Sequence, residues 1–352
     1  MRPDWLALPV PPVSSFHAHR ARERQNRLTK PPGSLGILEE LAVRAAGWMG
    51  TDAPDIDPVR IVVFAADHGI AAAGVSAFPQ SVTAEMVRNF ARGGAAICVL
   101  SREIGAQLEV VDAGVKTDPG PLAGVVAGRV APGTTDFRNA PAMTGDELFA
   151  AMDLGRQAVA RGIAVGVRLF AGGEMGIGNT TAASAVGSIL TGTAPEAMTG
   201  PGTGLDRQGI LEKSRLIAKA IAFHQVSQDD PLDAMRRLGG LEMAALTGFY
   251  LASAQAGIPC VIDGFITTVA ALAALRFRPE IHPWLLFSHM SKEPGHVAVL
   301  QAAKAVPVLS LGMRLGEASG AATLIPLVRI ACALHNRMAT FEEAAVSGKN
   351  HD

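Results

Sequence analysis

Apolar residues fall in short continuous runs, each followed by a longer helical stretch. "VRIVVFAAD" (59–67), "AQLEVVDAGV" (106–115), "IAVGVRLFAGGE" (163–174), "IPCVIDG" (258–264) and "WLLFSHM" (284–290) read as strands buried on both faces. Helices are predicted between them over 81–105, with a break at its Gly pair, and over 144–162, 179–191, 206–223, 241–256 and 267–277. A last helix is expected from Ala318 to His335, kinked at Pro326. Thr144 with Glu147 forms a capping box, and Asp206 is a plausible N-cap. Residues 114–143 are rich in Gly, Pro and Thr and read as a long loop with hairpin character.

This alternation predicts an α/β fold: a Rossmann-like, doubly wound, mainly parallel sheet with helices on both faces. The first 50 residues hold no strand signal and read as helix, Pro-Gly turn, helix. We expect a small helical lobe from 1–50 plus about 335–352, and a large α/β domain over 51–334. Asp67, Asp112, Glu174, Asp263 and Ser288 with His289 all sit where strands end. Ligands of open α/β sheets bind outside those ends, so the pattern points to one site.

Composition narrows the partners. The net charge is −1 and aromatics are 5% of 352 residues, so neither a phosphate-gripping field nor a stacking platform for nucleic acid is present. No uninterrupted apolar run is long enough for a membrane span, and the N-terminal residues do not read as a signal peptide. Cys98, Cys260 and Cys332 lie far apart in apolar runs and read as free buried thiols of a reducing, cytoplasmic compartment. A small-molecule substrate is the expected partner.

Several stretches could carry chemistry. In "FAGGEMGIGNTTAASAVGSIL" (170–190) a glycine turn links strand to helix. Gly176 and Gly178 free the backbone there, and Asn179, Thr180 or Thr181 can cap the helix, so the turn can bind an anion or be a plain turn. A second glycine loop, "TGPGTG" (199–204), feeds the helix carrying Lys213, which is either a solvated face residue or a phosphate partner. "PCVIDGFITT" (259–268) has one acid, Asp263, where phosphoribosyl-pyrophosphate loops have two. Ser291 and Lys292, before a helix expected from Glu293-Pro294, fit an anion-binding turn better than His289 and His296 fit a metal pair. Asp67-His68 is read as holding its loop by hydrogen bonds, though it could be catalytic. Phe78, Pro79 and Met86 can form a slot for a flat ring. Glu317 in "GMRLGEASGAA" (312–322) is either a first-turn glutamate favoured by the helix dipole or a general base in a pocket of small residues.

Together these segments resemble the nicotinate-nucleotide–dimethylbenzimidazole phosphoribosyltransferase family. The resemblance rests on Leu28–Gly36, Asp67-His-Gly69, Gly74–Gln80, Val111–Val115, Gly173–Thr181, Gly200–Gly204, Ile262-Asp-Gly264, Ser288-His289 and Gly312–Glu317. Phe78 departs from a common Tyr and Lys292 from a common small residue. The resemblance implies that nicotinate mononucleotide gives its phosphoribosyl group to 5,6-dimethylbenzimidazole, with no cofactor and no metal. It implies Glu317 as the base and a homodimer in which one subunit's helical lobe closes the other's site. Glu174, Gly176, Gly178, Asn179, Thr180, Lys213, Asp263, Ser291 and Lys292 are then expected around phosphate and ribose. Phe78, Pro79, Gln80, Met86, Met175 and Leu315 are expected around the benzimidazole. Two other readings are a non-catalytic binder of such ligands, and the same transfer to another acceptor such as adenine or a phenol.

Overall fold

The computed structural model describes residues 2–347. The chain runs α1 (Ser15–Arg27), α2 (Ile37–Met49), β1 (Val59–Ala66), α3 (Val82–Arg92), α4 (Ala96–Glu103), β2 (Gln107–Gly114), β3 (Val125–Ala127), α5 (Gly145–Ile163), β4 (Leu169–Met175), α6 (Asn179–Thr191), α7 (Pro195–Met198), α8 (Arg207–His224), α9 (Pro231–Leu238), α10 (Leu241–Gln255), β5 (Cys260–Ile262), α11 (Phe265–Phe277), β6 (Leu285–Phe287), α12 (His296–Ala302) and α13 (Ser319–Arg337). The six strands form one parallel sheet in the order β3-β2-β1-β4-β5-β6. This is the doubly wound order, and its direction reverses between β1 and β4.

The continuous apolar runs explain the sheet. Every residue of β1 except Arg60 is buried, as a strand covered on both faces requires. Helix α10 is buried on all sides from Leu241 to Ala254, and its Phe249 meets Phe64 and Phe170 edge-on at 5.6 and 5.2 Å. The three cysteines are free and buried. Thr144 and Glu147 close their capping box, and Asp206 accepts from the Gly209 N–H at 2.8 Å. Among the described residues no helix is long and apolar enough to cross a membrane.

Three expectations are corrected. The 114–143 stretch contains β3, which pairs parallel to β2, so it is no hairpin. The strand expected from 163 begins only at Leu169, because α5 runs to Ile163 and Gly166 turns the chain at φ 75°. The helix expected from Glu293-Pro294 begins at His296. There the His296 ring accepts the Ser291 N–H at 2.9 Å and meets Thr268 Oγ1 at 3.0 Å, which holds residues 291–295 as a turn. Helix α13 continues through Pro326.

At the other end of the molecule α1 and α2 pack against the C-terminal part of α13. Arg24 donates to the carbonyls of His335 and Met338, and Leu28 bridges Thr340. Trp48 and Arg44 tie these helices to the carbonyls of Pro283 and Leu285. The boundary expected at 334–335 falls inside α13, and residues 348–352 of the expected lobe lie outside the described residues.

Candidate active site

A crevice opens over the ends of β4, β5 and β6, beside the reversal point of the sheet. After Met175 the chain turns through Gly176–Gly178, with Gly178 at φ 100° as the N-cap of α6. Neither Asn179 nor the threonines cap α6. The Asn179 amide instead donates to the Glu174 carboxylate, and Thr180 Oγ1 accepts from Lys213 Nζ at 2.8 Å. The Ile177 N–H is fixed by Thr83 Oγ1 at 3.1 Å. Close to this turn, His68 Nε2 meets Glu242 Oε1 at 2.8 Å, both side chains fully enclosed. The His68 ring thus ties its loop to α10, and the His68 carbonyl takes the Gln80 amide at 2.9 Å.

The segment before α13 has unusual backbone. Gly316, Glu317 and Ala318 take φ of 89°, 61° and 65°, three left-handed residues in succession. Such conformations cost free energy in non-glycine residues and concentrate at functional sites. Glu317 thus precedes the N-cap Ala318 and is not a first-turn residue of α13. Its N–H donates to the Glu174 carbonyl at 3.3 Å. The approach requires glycine at 173, where a Cβ would overlap Ala318 and Glu317 backbone. Glu317 is buried at 6% exposure. Burial raises its pKa, and the Ile97 N–H at the start of α4 draws it back. The helix end that reaches this carboxylate is therefore that of α4, not α13.

Glu317 is also not alone. Burial pushes Glu174 well above the carboxylate range, with Glu242, Asp263 and Glu317 adding to the rise. Burial lifts Asp263 to about 7, although N–H groups of Ala321, Gly320 and Ala318 oppose this. Asp263 Oδ1 accepts the Ala321 N–H at 2.9 Å and so caps α13 from a different strand end. Glu317 is one of several buried acids. Burial first, and then the crowding of like charges, raises their affinity for protons.

A cleft of about 290 Å³ lies over this cluster. Phe78 and Leu315 are exposed at its rim, Met175, Ile177, Phe265 and Ile266 supply apolar wall, and Thr180, Ser291 and Glu293 supply polar wall. Of the residues expected from sequence, Phe78, Glu174, Met175, Gly176, Asn179, Thr180, Asp263, Ser291 and Leu315 line it together. Lys213, 1% exposed, reaches it through Thr180 and is no solvated face residue. Pro79, Gln80, Met86, Gly178, Lys292 and Glu317 are not in its wall. Met86 packs half-buried on the core, and Lys292 is exposed with its N–H on the Met313 carbonyl at 3.0 Å. Glu317 follows the wall residues Leu315 and Gly316 directly.

Polar and glycine wall residues that were not expected include Gly202, Thr203, Glu293 and Arg314. Arg314 donates to the Gly202 carbonyl at 3.1 Å, and Glu293 Oε1 accepts the Gly202 N–H at 3.2 Å. Thr203 Oγ1 meets Ser76 Oγ at 2.9 Å and accepts the Ala77 N–H at 3.1 Å. The second glycine loop is the sequence signal that leads to them. It joins the loops bearing Phe78, Glu293 and Arg314.

A family model described as phosphoribosyltransferase matches residues 10–346. The chain is 56% identical over 349 residues to the nicotinate-nucleotide–dimethylbenzimidazole phosphoribosyltransferase of Xanthomonas euvesicatoria pv. vesicatoria, covering 99% of each chain. It is 54% identical over 330 residues to that of Pseudomonas aeruginosa, covering 94% of each. The crystal structure of the enzyme of that name from Thermus thermophilus superposes with a TM-score of 0.90 at 42% identity, covering 96% of this chain and 100% of the other. The chain belongs to the nicotinate-nucleotide–dimethylbenzimidazole phosphoribosyltransferase family and is a phosphoribosyltransferase.

Proposed function

We propose that this chain transfers the 5-phosphoribosyl group of nicotinate mononucleotide to 5,6-dimethylbenzimidazole, giving α-ribazole 5′-phosphate and nicotinate. The observation that carries the mechanism is Glu317, buried and held in a left-handed segment directly after the cleft wall. The pyridinium on C1′ leaves as a neutral ring nitrogen, so its departure needs no general acid. One imidazole nitrogen forms the new bond to C1′ from the opposite face, which inverts β to α. The other imidazole nitrogen loses its proton, and Glu317 accepts it. Burial raises the Glu317 pKa and makes it a stronger base, while the Ile97 N–H opposes that rise.

The ring of the acceptor lies against Phe78, Met175 and Leu315, and the nucleotide phosphate against Gly176–Thr180, Lys213 and Ser291. Glu174, Asn179 and Asp263 face the ribose. Glu317→Gln keeps size and burial and removes the base. It should bind both substrates with near-native affinity and lose about 10²–10⁴-fold in kcat. Native turnover in Glu317→Gln would remove this residue from the base role. The apolar, partly open rim also admits other flat acceptors, because such a slot discriminates weakly between rings differing by a methyl group. A competition assay with benzimidazole, adenine and a phenol reads that preference. We further propose that the α1–α2 lobe acts in a cytoplasmic homodimer by closing the partner's cleft.

A further inference from the structure

Glu293 stands oddly in a phosphate pocket. It is 6% exposed and lines the cleft beside Ser291, where a carboxylate would repel an incoming phosphate. Its Oε1 accepts the Gly202 N–H at 3.2 Å, while Oε2 is buried without a hydrogen-bond partner. The charges around it are few. Helix α8 presents Lys213, and the 312–318 segment presents Arg314, which gives its Nη1 to the Gly202 carbonyl. Helix α6 adds the Thr180 hydroxyl, which accepts from Lys213 Nζ at 2.8 Å. The 199–204 loop, the 291–295 turn, α6, α8 and the 312–318 segment thus converge around Gly202.

A buried ammonium tends to lose its proton, and a neutral amine is a poor phosphate ligand. Burial pulls Lys213 down to about 8, and the Glu293 carboxylate is the charge that opposes this. The same carboxylate fixes the glycine loop over the pocket. We propose that Glu293 is a positioning residue for phosphate binding: it holds the Gly202 loop in place and stands as the counter-charge near Lys213 until the nucleotide phosphate arrives and takes over that part. The proposal rests on the phosphoribosyl-transfer reading above for the identity of the phosphate carrier.

The test compares wild type with Glu293→Gln, which keeps the acceptor for Gly202, and with Glu293→Asp, which keeps the charge. KM for nicotinate mononucleotide and kcat are followed from pH 7 to 9.5. In Glu293→Gln, KM should rise about tenfold near pH 8 with kcat little changed, as loss of a charge-assisted contact predicts. The pH at which affinity falls off should move down, because the charge that raised Lys213 is gone. Glu293→Asp should recover most of the midpoint. A uniform rise in KM with an unmoved midpoint, or an unchanged KM, overturns the proposal. Calorimetric titration with inorganic phosphate at the same pH values reads the pocket without the reaction. A phosphate affinity that is identical in wild type and Glu293→Gln across that range overturns this inference even if transfer is observed. Absence of transfer with the phosphate shift intact overturns the functional reading alone.

Discussion

Gly173→Ala is the sharpest structural test of how Glu317 is held. Residue 173 lies in β4, between β1 and β5, paired with Val63. A Cβ there would lie 2.7 Å from Glu317 C and from Ala318 Cβ, and closer still to Ala318 N. Ordinary carbon contacts need about 3.5 Å, so something must retreat by roughly 1 Å. The strand is clamped on both sides, so the 316–318 segment is what moves. Overpacking of this kind costs about 1–3 kcal/mol of stability. The larger effect falls on the base, since a displacement of about 1 Å can cost on the order of 10²-fold in rate. Steady-state kinetics should therefore show kcat reduced about 10–100-fold with KM for the nucleotide nearly native. Gly145→Ala is the control: a Cβ at Gly145 meets nothing within 4 Å, so activity and melting temperature should stay native. Wild-type kcat in Gly173→Ala would refute the claim that this glycine places Glu317.

Two further outcomes follow from the buried charges. Asp263 is lifted from 3.8 to about 7, so between those values the folded protein holds a proton that the unfolded chain has lost. Stability from this group is full below about 4 and is lost as pH rises to about 7, by on the order of 4 kcal/mol at most. Asp263→Asn keeps the Oδ1 acceptor for α13 and should flatten that slope in urea titrations at pH 4.5 and 7.5; parallel curves for the two proteins would contradict the assignment. Lys213→Met should raise KM for nicotinate mononucleotide by at least about tenfold, with a far smaller change in kcat, because a charge-assisted contact to phosphate is lost. An unchanged KM would take Lys213 out of the phosphate pocket.

The sheet was legible because its strands are continuous apolar runs, and Glu174, Asp263 and His289 near the ends of β4, β5 and β6 marked the crevice in advance, whereas Asp67, Asp112 and Ser288 lie outside its wall. The three-residue β3 was not, since "VVA" at the sheet edge is too short and too exposed to carry a period. Glu317 was conspicuous in sequence, but its setting was not. A propensity reading places it in the first turn of α13, whereas the tertiary approach of Gly173 and Glu174 forces three left-handed residues there. Its neighbours Glu174, Glu242 and Asp263 come from three other elements, so their mutual repulsion appears only once the sheet is assembled. Glu293 and Arg314 were missed for the same reason: their role lies in contacts to Gly202, about a hundred residues away in sequence. Lys213 shows the limit of helix-face reasoning, because α8 buries the side of the helix that carries it.

The central claim is coupled transfer from nucleotide to acceptor base, and release of nicotinate measures it directly. Purified protein is incubated with nicotinate mononucleotide, with and without 5,6-dimethylbenzimidazole, and both products are followed by mass spectrometry. The account predicts nicotinate and α-ribazole 5′-phosphate in equal amounts, formed only when the base is present. Nicotinate released at the same rate without the base, or released with no ribazole product, would contradict it.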